Sequence, residues 1–418
     1  DAEDREKWNQ LCDELRIPQP PGGTAIDLEE ALSITDEIGF PVLVRPSYVL
    51  GGRAMQIVHD RTALARAMDE LGAIGSLGRE GGLSAERPVL IDRFLASATE
   101  VDVDAIRDHT GEVLIGGVME HVEEAGVHSG DSACAIPPQT LPDWVVEVIK
   151  AYTTSIAHRL DVRGLINVQY AVTGTDVFVI EANPRASRTV PFVAKAKGVA
   201  LAKAATRVML GATLAELRDE GVLRDPVGGH VAVKEAVLPF SRFPEVDPAL
   251  GPEMRSTGEV MGIDSTFGRA FFKAELAAGN GLPTEGTVFL SLNDNDKPAG
   301  LVVAQRLRAH GLGVVATAGT ADYLARFGVP VDRVLDKVQD QGAGPTAVDL
   351  IADGTVVFVV NTPRGSVGRS DGEHIRKAAS LHRVSCVTTV SAALAAAQGL
   401  GETPAELPVR SLQEYHAR

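Results

Sequence analysis

The feature that most restricts the fold of this chain lies between residues 164 and 188. The runs GLINVQYAV (164–172) and DVFVIEAN (176–183) are each long enough for a strand, and only TGT separates them, the spacing of a β-hairpin. Glu181 and Asn183 are two residues apart, so they project from one face of the second strand, and Gln169 stands roughly opposite on the first. A carboxylate with two amide oxygens is a hard donor set, suited to Mg2+ shared with nucleotide phosphates rather than to a thiophilic metal. A polar face simply wetted by solvent is the bland alternative. The apolar neighbours Val168, Val179 and Ile180, and the NPRASR run that follows at once, argue against it. Arg185 and Arg188 in that run bring two guanidinium forks beside the expected metal position, where they can neutralise charge on a transferring phosphoryl group. Taken alone, each arginine would read as a surface ion pair.

The residues before the hairpin fit a nucleotide site. Trp8, Leu11, Cys12 and Leu15 predict a helix over 4–15 that IPQPPGG stops, and a second helix follows with Asp27 as N-cap and Gly39 just past its end. FPVLVRP, the loop VLGGR and AMQIV read as strand, glycine loop and strand, an arrangement able to cover phosphates; Gly51 and Gly52 allow close backbone approach, although a Gly-Gly pair alone is more often a plain turn. Arg45 ends the first of these strands. After a helix over 62–71 and a Gly-rich stretch over 72–86, the runs PVLIDRFL, EVDVDAI and EVLIGGVMEH read as strands. Arg93 and Glu100 flank FLASATE, where a carboxylate can hold ribose hydroxyls and the backbone near Leu95 can meet adenine; two solvated charges are an equally good reading of the same residues. The loop Gly126, Val127, His128 and Ser129 is small and polar enough for a ligand contact. Helices are expected over 143–160 and 191–210.

Near 277–284 the composition changes, and AAGNGLPT reads as a linker. Beyond it strands alternate with helices, the pattern of a parallel α/β sheet. Thr317 and Thr320 follow one strand, and Asn361 and Thr362 end another, so these carboxyl-end loops outline a phosphate pocket with charge from Lys297 and Lys337. Ordinary strand-to-helix loops are the competing reading. A length of 418 residues suits two or three domains, and the net charge of -16 argues against nucleic acid as a partner. Three scattered cysteines indicate neither disulfides nor zinc, no apolar run is long enough for a membrane span, and the start DAEDREKWNQ is unlike a signal peptide. A cytoplasmic location is therefore expected, and the absence of an initiating Met suggests a piece of a longer chain.

Taken together, RPSYVLGGRAM, EVDVDAI, GVHSGDSAC, NVQYAV and EANPRASRTVPF resemble the carboxyl-terminal ATP-grasp half of the carbamoyl phosphate synthetase large subunit, and KEAVLPF and LGPEMRSTGEVMG fit the same family. The resemblance implies an ATP-grasp unit over 1–280 and a Rossmann-like, methylglyoxal-synthase-like allosteric unit over 281–418. RTVPF is similar to the unit that phosphorylates carbamate. By resemblance, Arg45, Arg93, Leu95, Glu100 and the Gly126, Val127, His128, Ser129 loop go to ATP, together with Gln169 and Glu181. Gln169, Glu181 and Asn183 go to Mg2+ or Mn2+, with K+ as a further cation, and Arg185 and Arg188 to the phosphoryl or carbamate end. Lys297, Thr317, Thr320, Lys337, Asn361 and Thr362 go to a UMP-like effector. The implied partners are the N-terminal half of the large subunit and the glutamine amidotransferase small subunit, in pyrimidine and arginine biosynthesis. QGAGP lacks the aspartate of methylglyoxal synthases, which removes that chemistry. Glu123, Asp131 and Glu235 match ornithine-binding positions of some members, but Cys386 stands where those have tyrosine, so no ornithine site is assigned. A family unit carries a further domain before its grasp fold, and this chain starts after it. Two other readings therefore stay open: a silent nucleotide- and effector-binding module, and a different grasp ligase.

Overall fold

The structure, a computed structural model, describes residues 2, 4–46, 54–77, 88–226, 228–243, 246–336, 338, 344–362, 369–400 and 407–417. The Leu50–Arg53 loop, Lys337 and most of QGAGP therefore lie outside the described residues, as does most of the Gly-rich stretch. Among the described residues the strands form three sheets. A small antiparallel sheet runs in the order Gly22–Ala25, Val89–Arg93, Val42–Pro46, Gln56–Val58. The central sheet is antiparallel throughout, in the order Gly258–Asp264, Val231–Val237, Cys134–Ile136, Val113–Glu124, Thr99–Arg107, Gly164–Thr173, Asp176–Asn183. The third sheet is wholly parallel, in the order Arg333–Leu335, Gly313–Thr317, Thr287–Leu292, Val356–Thr362, Ser385–Val387.

Local chemistry explains most element ends. The Asp27 carboxylate accepts from Glu30 N at 2.9 Å and starts the helix Leu28–Ile38, as expected of an N-cap. The helix expected over 191–210 is two helices, Thr189–Lys197 and Leu201–Met209, because Gly198 takes a left-handed φ of 67° and ends the first. The helix expected to stop at Leu71 continues to Leu77. The short strand Gly22–Ala25 has no alternation to announce it; pairing with Val89–Arg93 creates it.

On one face of the central sheet, Val101, Val103, Ile166, Val168 and Tyr170 pack under Val145, Ile149 and Ile156 of the helix Asp143–Arg159 and under Trp8 and Leu11 of the helix Arg5–Leu15. Each such buried side chain contributes about 1.5–3 kcal/mol of transfer free energy. On the other face Ile106, Met119 and Ile136 pack against the two helices that flank Gly198. The rest of that face is polar and carries the site described below. No helix among the described residues is long and apolar enough to cross a membrane.

The central and parallel sheets share a core in which Val233, Ala270 and Phe271 meet Val288, Leu290, Ala393 and Ala396. Three carboxyls, the buried Glu235 and Glu275 and the half-buried Glu123, lie at this junction, and desolvation raises all three: Glu123 to about 7, Glu275 to about 8 and Glu235 well above the ordinary range. A raised carboxyl binds more protons folded than unfolded, so stability is lost as pH rises from near 4.5 through about 8. The urea midpoint of the chain should accordingly fall between pH 5.5 and 8.5, and Glu275→Gln should fall less steeply. An identical slope in both proteins would contradict this account of the junction.

Candidate functional site

The polar face is assembled by three adjacent strands. In EVDVDAI the valines alternate with acids, so Val101 and Val103 enter the core while Glu100, Asp102 and Asp104 point the other way. Register then sets Asp102 against Gln169 and Asp104 against Asn167. Across the hairpin Gln169 pairs with Glu181 and Asn167 with Asn183. The result is two rows across the sheet, Asp102·Gln169·Glu181 and Asp104·Asn167·Asn183.

A bulge makes this possible. Tyr170 pairs with Val179 while Gln169 pairs with Glu181, so Ile180 is the extra residue. Strict alternation from Val177 and Val179 would have turned Glu181 toward the helix Asp143–Arg159. With Ile180 extruded, Glu181 and Asn183 share the face of Gln169. The two-residue spacing thus identifies the right side chains, but the bulge, which nothing in the sequence announces, decides which face they occupy.

The expected donors are therefore adjacent. Asn183 Nδ2 donates to Glu181 Oε1 at 2.9 Å, and Gln169 Nε2 donates to Ser129 Oγ at 3.3 Å. Arg185 Nη2 donates to Asn183 Oδ1 at 3.1 Å, so it adjoins the triad directly. Arg188 sits over the neighbouring loop, its Nη2 filling the place a Cβ would take on Gly130. The oxygens of Gln169, Glu181 and Asn183 suit a hard divalent cation. With a single carboxylate the set is weakly charged, which favours a cation that arrives already neutralised by phosphate. Among the described residues no group of three His, Cys, Asp or Glu side chains forms a self-sufficient metal cage.

Several supporting residues escaped the sequence analysis. Asp104 is 1% exposed and accepts from Asn167 Nδ2 at 3.0 Å, Ser187 Oγ at 2.7 Å and Thr189 Oγ1 at 2.6 Å. It ties the segment that carries Arg185 and Arg188 to the sheet. Burial pushes its carboxyl up to about 6 even though these three bonds pull the other way. His121 Nε2 lies 2.9 Å from Asp102 Oδ2, and its Nδ1 lies 3.7 Å from Glu100. For Asp102 the bond and charge of His121 outweigh burial and keep the carboxyl below its ordinary value. Lys234, 1% exposed, reaches from the strand Val231–Val237 to donate to Ser129 O at 3.1 Å. Alternating acids in EVDVDAI were the only available signal, and they pointed to the strand rather than to these roles.

The loop expected to meet ligand is held on every side. Gly126 N donates to Glu100 Oε1 at 3.0 Å, and Phe94 and Ile57 of the small-sheet region close on Gly126. His128 N donates to Gly251 O at 2.8 Å, and Gly130 N donates to His128 Nδ1 at 3.0 Å. Burial lowers the His128 pKa, so the ring is neutral with its proton on Nε2. Leu95 lies in the turn between the small and central sheets. Arg45 and Arg93 are not brought together. Arg93 pairs with Val42 and Arg45 with Leu90, an odd number of steps along the strand, so they leave opposite faces of the small sheet. Arg93 Nη1 donates to Ile38 O at 2.8 Å, and Arg45 Nε lies 3.6 Å from Asp92.

In the parallel sheet, Thr317 and the pair Asn361 and Thr362 sit at the carboxyl ends of strands on either side of Thr287–Leu292. Thr317 Oγ1 donates to Thr320 Oγ1 at 3.2 Å, and Thr320 Oγ1 accepts from Leu292 N at 3.0 Å. Lys297 Nζ bonds Asp294 at 2.6 Å and lies 3.5 Å from the place a Cβ would take on Gly319. Five of the six expected effector residues are thus at one end of the sheet, where its strand order changes direction.

The comparisons with known proteins agree with this architecture. Residues 4–217, more than half of the chain, match the family model described as carbamoyl-phosphate synthase L chain, ATP binding domain, and residues 300–388 match the MGS-like domain. The carbamoyl phosphate synthase large chain of Methanosarcina mazei is 50% identical over 417 residues, covering 99% of this chain and 37% of that protein. That of Archaeoglobus fulgidus is 51% identical with the same coverage. The chain therefore spans little more than a third of these relatives. The Methanopyrus kandleri protein named carbamoyl phosphate synthase large chain, C-terminal section, is 50% identical over 403 residues, with 95% of this chain and 72% of that protein covered. Among solved structures, the biotin carboxylase domain of Hydrogenobacter thermophilus 2-oxoglutarate carboxylase, in complex with MgADP, ADP and bicarbonate, superposes with a TM-score of 0.52 at 16% identity, covering 65% of this chain and 64% of that one. That likeness speaks for the ATP-grasp fold alone. On the family match and the extent of its identity to the M. kandleri protein, this chain belongs to the carbamoyl phosphate synthase large-chain family and corresponds to its C-terminal section.

Proposed function

We propose that the ATP-grasp part of the chain transfers the terminal phosphoryl group of ATP to carbamate, giving carbamoyl phosphate and ADP. The observation that carries this reading is the register that sets Gln169 against Glu181 with Arg185 alongside. A carbamate oxygen attacks the γ-phosphorus, the bond to the bridging oxygen breaks, and ADP leaves with that electron pair. Gln169, Glu181 and Asn183 would hold Mg2+ or Mn2+, which would supply charge neutralisation at the phosphates. Arg185 and Arg188 bind the equatorial oxygens, and Asp104 keeps their segment in place. Neutral His128 offers its Nε2 proton to a phosphate oxygen, and Lys234 holds the Ser129 carbonyl away from that ligand. Glu100 takes the ribose hydroxyls, with Leu95 and the Gly126–Ser129 loop around the nucleotide and one of Arg45 and Arg93, which leave opposite faces of the small sheet, beside it. Catalysis on this reading is positioning and electrostatics, without a covalent enzyme intermediate.

The same proposal divides the chain into an ATP-grasp unit over 1–280 and an allosteric unit over 281–418. The latter binds a UMP-like effector through Lys297, Thr317, Thr320, Asn361 and Thr362, with Lys337, which lies outside the described residues. K+, the N-terminal half of the large subunit, the glutamine amidotransferase small subunit, a cytoplasmic location and service to pyrimidine and arginine biosynthesis belong to this reading. The coverage of 37% of full-length relatives favours a second reading, a module that binds nucleotides but turns over only with the remainder of the enzyme.

Incubation with carbamoyl phosphate and MgADP should yield ATP, and Glu181→Gln should lower that rate by about 10²-fold or more, the usual size of a lost electrostatic contact. A variant that keeps most of its rate would remove the triad from the mechanism. A wild-type chain that binds MgADP without forming ATP would favour the module reading. In a calorimetric titration with UMP, Lys297→Met should weaken binding by about tenfold, the equivalent of one charge-assisted hydrogen bond; unchanged affinity would take Lys297 out of the effector site.

A further inference from the structure

We propose that Arg376 and Asp247 form a relay that couples a nucleoside monophosphate at the carboxyl ends of the parallel sheet to the 126–131 loop over the polar face. The proposal rests on the effector reading above and adds the residues that carry its signal. Arg376 belongs to the helix Arg369–His382, and at 1% exposure its side chain heads the largest fully buried ones among the described residues. Its Nε and Nη2 donate to Asp247 Oδ1 at 2.7 Å and Oδ2 at 2.5 Å, a two-pronged pair. Its Nη1 donates to Asn361 Oδ1 at 2.8 Å. One guanidinium therefore grips both an expected effector residue and a segment that follows the central-sheet strand Val231–Val237.

That segment leads straight to the ATP-side loop. Four residues after Asp247, Gly251 O accepts from His128 N at 2.8 Å. A few residues on, Arg255 N and Ser256 N donate to the two oxygens of Asp131 at 2.7 and 2.9 Å, and Ser256 Oγ donates to Gly130 O at 3.0 Å. Residues 247–256 are thus fastened at one end to Arg376 and at the other to both sides of the loop.

The chemistry of the links suits transmission. A phosphate that engages the amide of Asn361 turns the same group that holds Arg376. Two parallel bonds to Asp247 resist rotation about either one, so the carboxylate must follow the guanidinium. Burial works against the Asp247 charge, but its bonds to Arg376 outweigh burial and hold the carboxyl below its ordinary value, so the pair stays ionised near neutrality. A pair that served only as glue would join two scaffold elements. This one joins two ligand-facing segments, and coupling between sites needs a physical connection of that kind.

The test is reciprocal calorimetry on the 418-residue chain with UMP and MgADP as probes. In the wild type, saturating MgADP should change the UMP Kd by roughly 5- to 150-fold, and UMP should change the MgADP Kd by the same factor. Asp247→Asn should bind each nucleotide alone within about threefold of wild type while the mutual factor falls below about twofold. Because this variant leaves the Arg376 cation without its full partner, D247L/R376M, which replaces the pair by apolar side chains, serves as a second folded variant and should also lose the mutual factor. A mutual factor of wild-type size in either variant would overturn the relay. So would UMP binding to the wild type without any mutual shift, although the effector reading would then survive. Failure of UMP to bind the wild type would bring down that reading and the relay with it.

Discussion

The structure turns on the cross-strand register of three adjacent antiparallel strands. Asp102, Gln169 and Glu181 stand in one row and Asp104, Asn167 and Asn183 in the next, with the hydrophobic floor of Val101, Val103, Val168 and Tyr170 on the opposite face. The side-chain period along a strand is two, so a one-residue slip would exchange floor and polar face. The bulge at Ile180 makes that slip locally and on one strand only. The same few residues therefore build the core and point the oxygens.

A buried acidic face is unstable unless each carboxylate is answered. Asp102 is answered by His121, Asp104 by two hydroxyls and an amide, and Glu100 by the Gly126 N–H. Each answer also fixes a piece of the site: Asp104 fixes the Arg185 and Arg188 segment, Glu100 fixes the loop, and Lys234 fixes Ser129. Stability and positioning are served by the same bonds here. The Glu123, Glu235 and Glu275 group at the junction is managed differently, by retaining protons.

Much of this was legible in the sequence because it follows from local rules. The short TGT connection closes the hairpin, Asp27 caps its helix, and the alternation of strands and helices after 284 gives the parallel sheet. Other features depend on partners distant in the chain. Gly22–Ala25 becomes a strand only through Val89–Arg93, and the bulge at Ile180 appears only in the register between the two hairpin strands. Arg45 and Arg93 look equivalent as basic residues at strand ends, and only register shows that they leave opposite faces. Lys234, His121 and Arg376 would each pass for a solvated charge until burial and partners are seen. The family motifs point to candidate nucleotide residues without these supports, because a motif records which residues are present and not what holds them.

Whether one divalent cation sits on the row formed by Gln169 and Glu181 and on Asn183 beside it is decided by a crystal structure of the chain with MgADP. The expected result is a metal held by Glu181 and an amide oxygen at about 2.0–2.1 Å, with Arg185 turned from Asn183 toward the open phosphate end. A nucleotide whose metal is held elsewhere, with Gln169 and Glu181 still bonded only to protein, would contradict it.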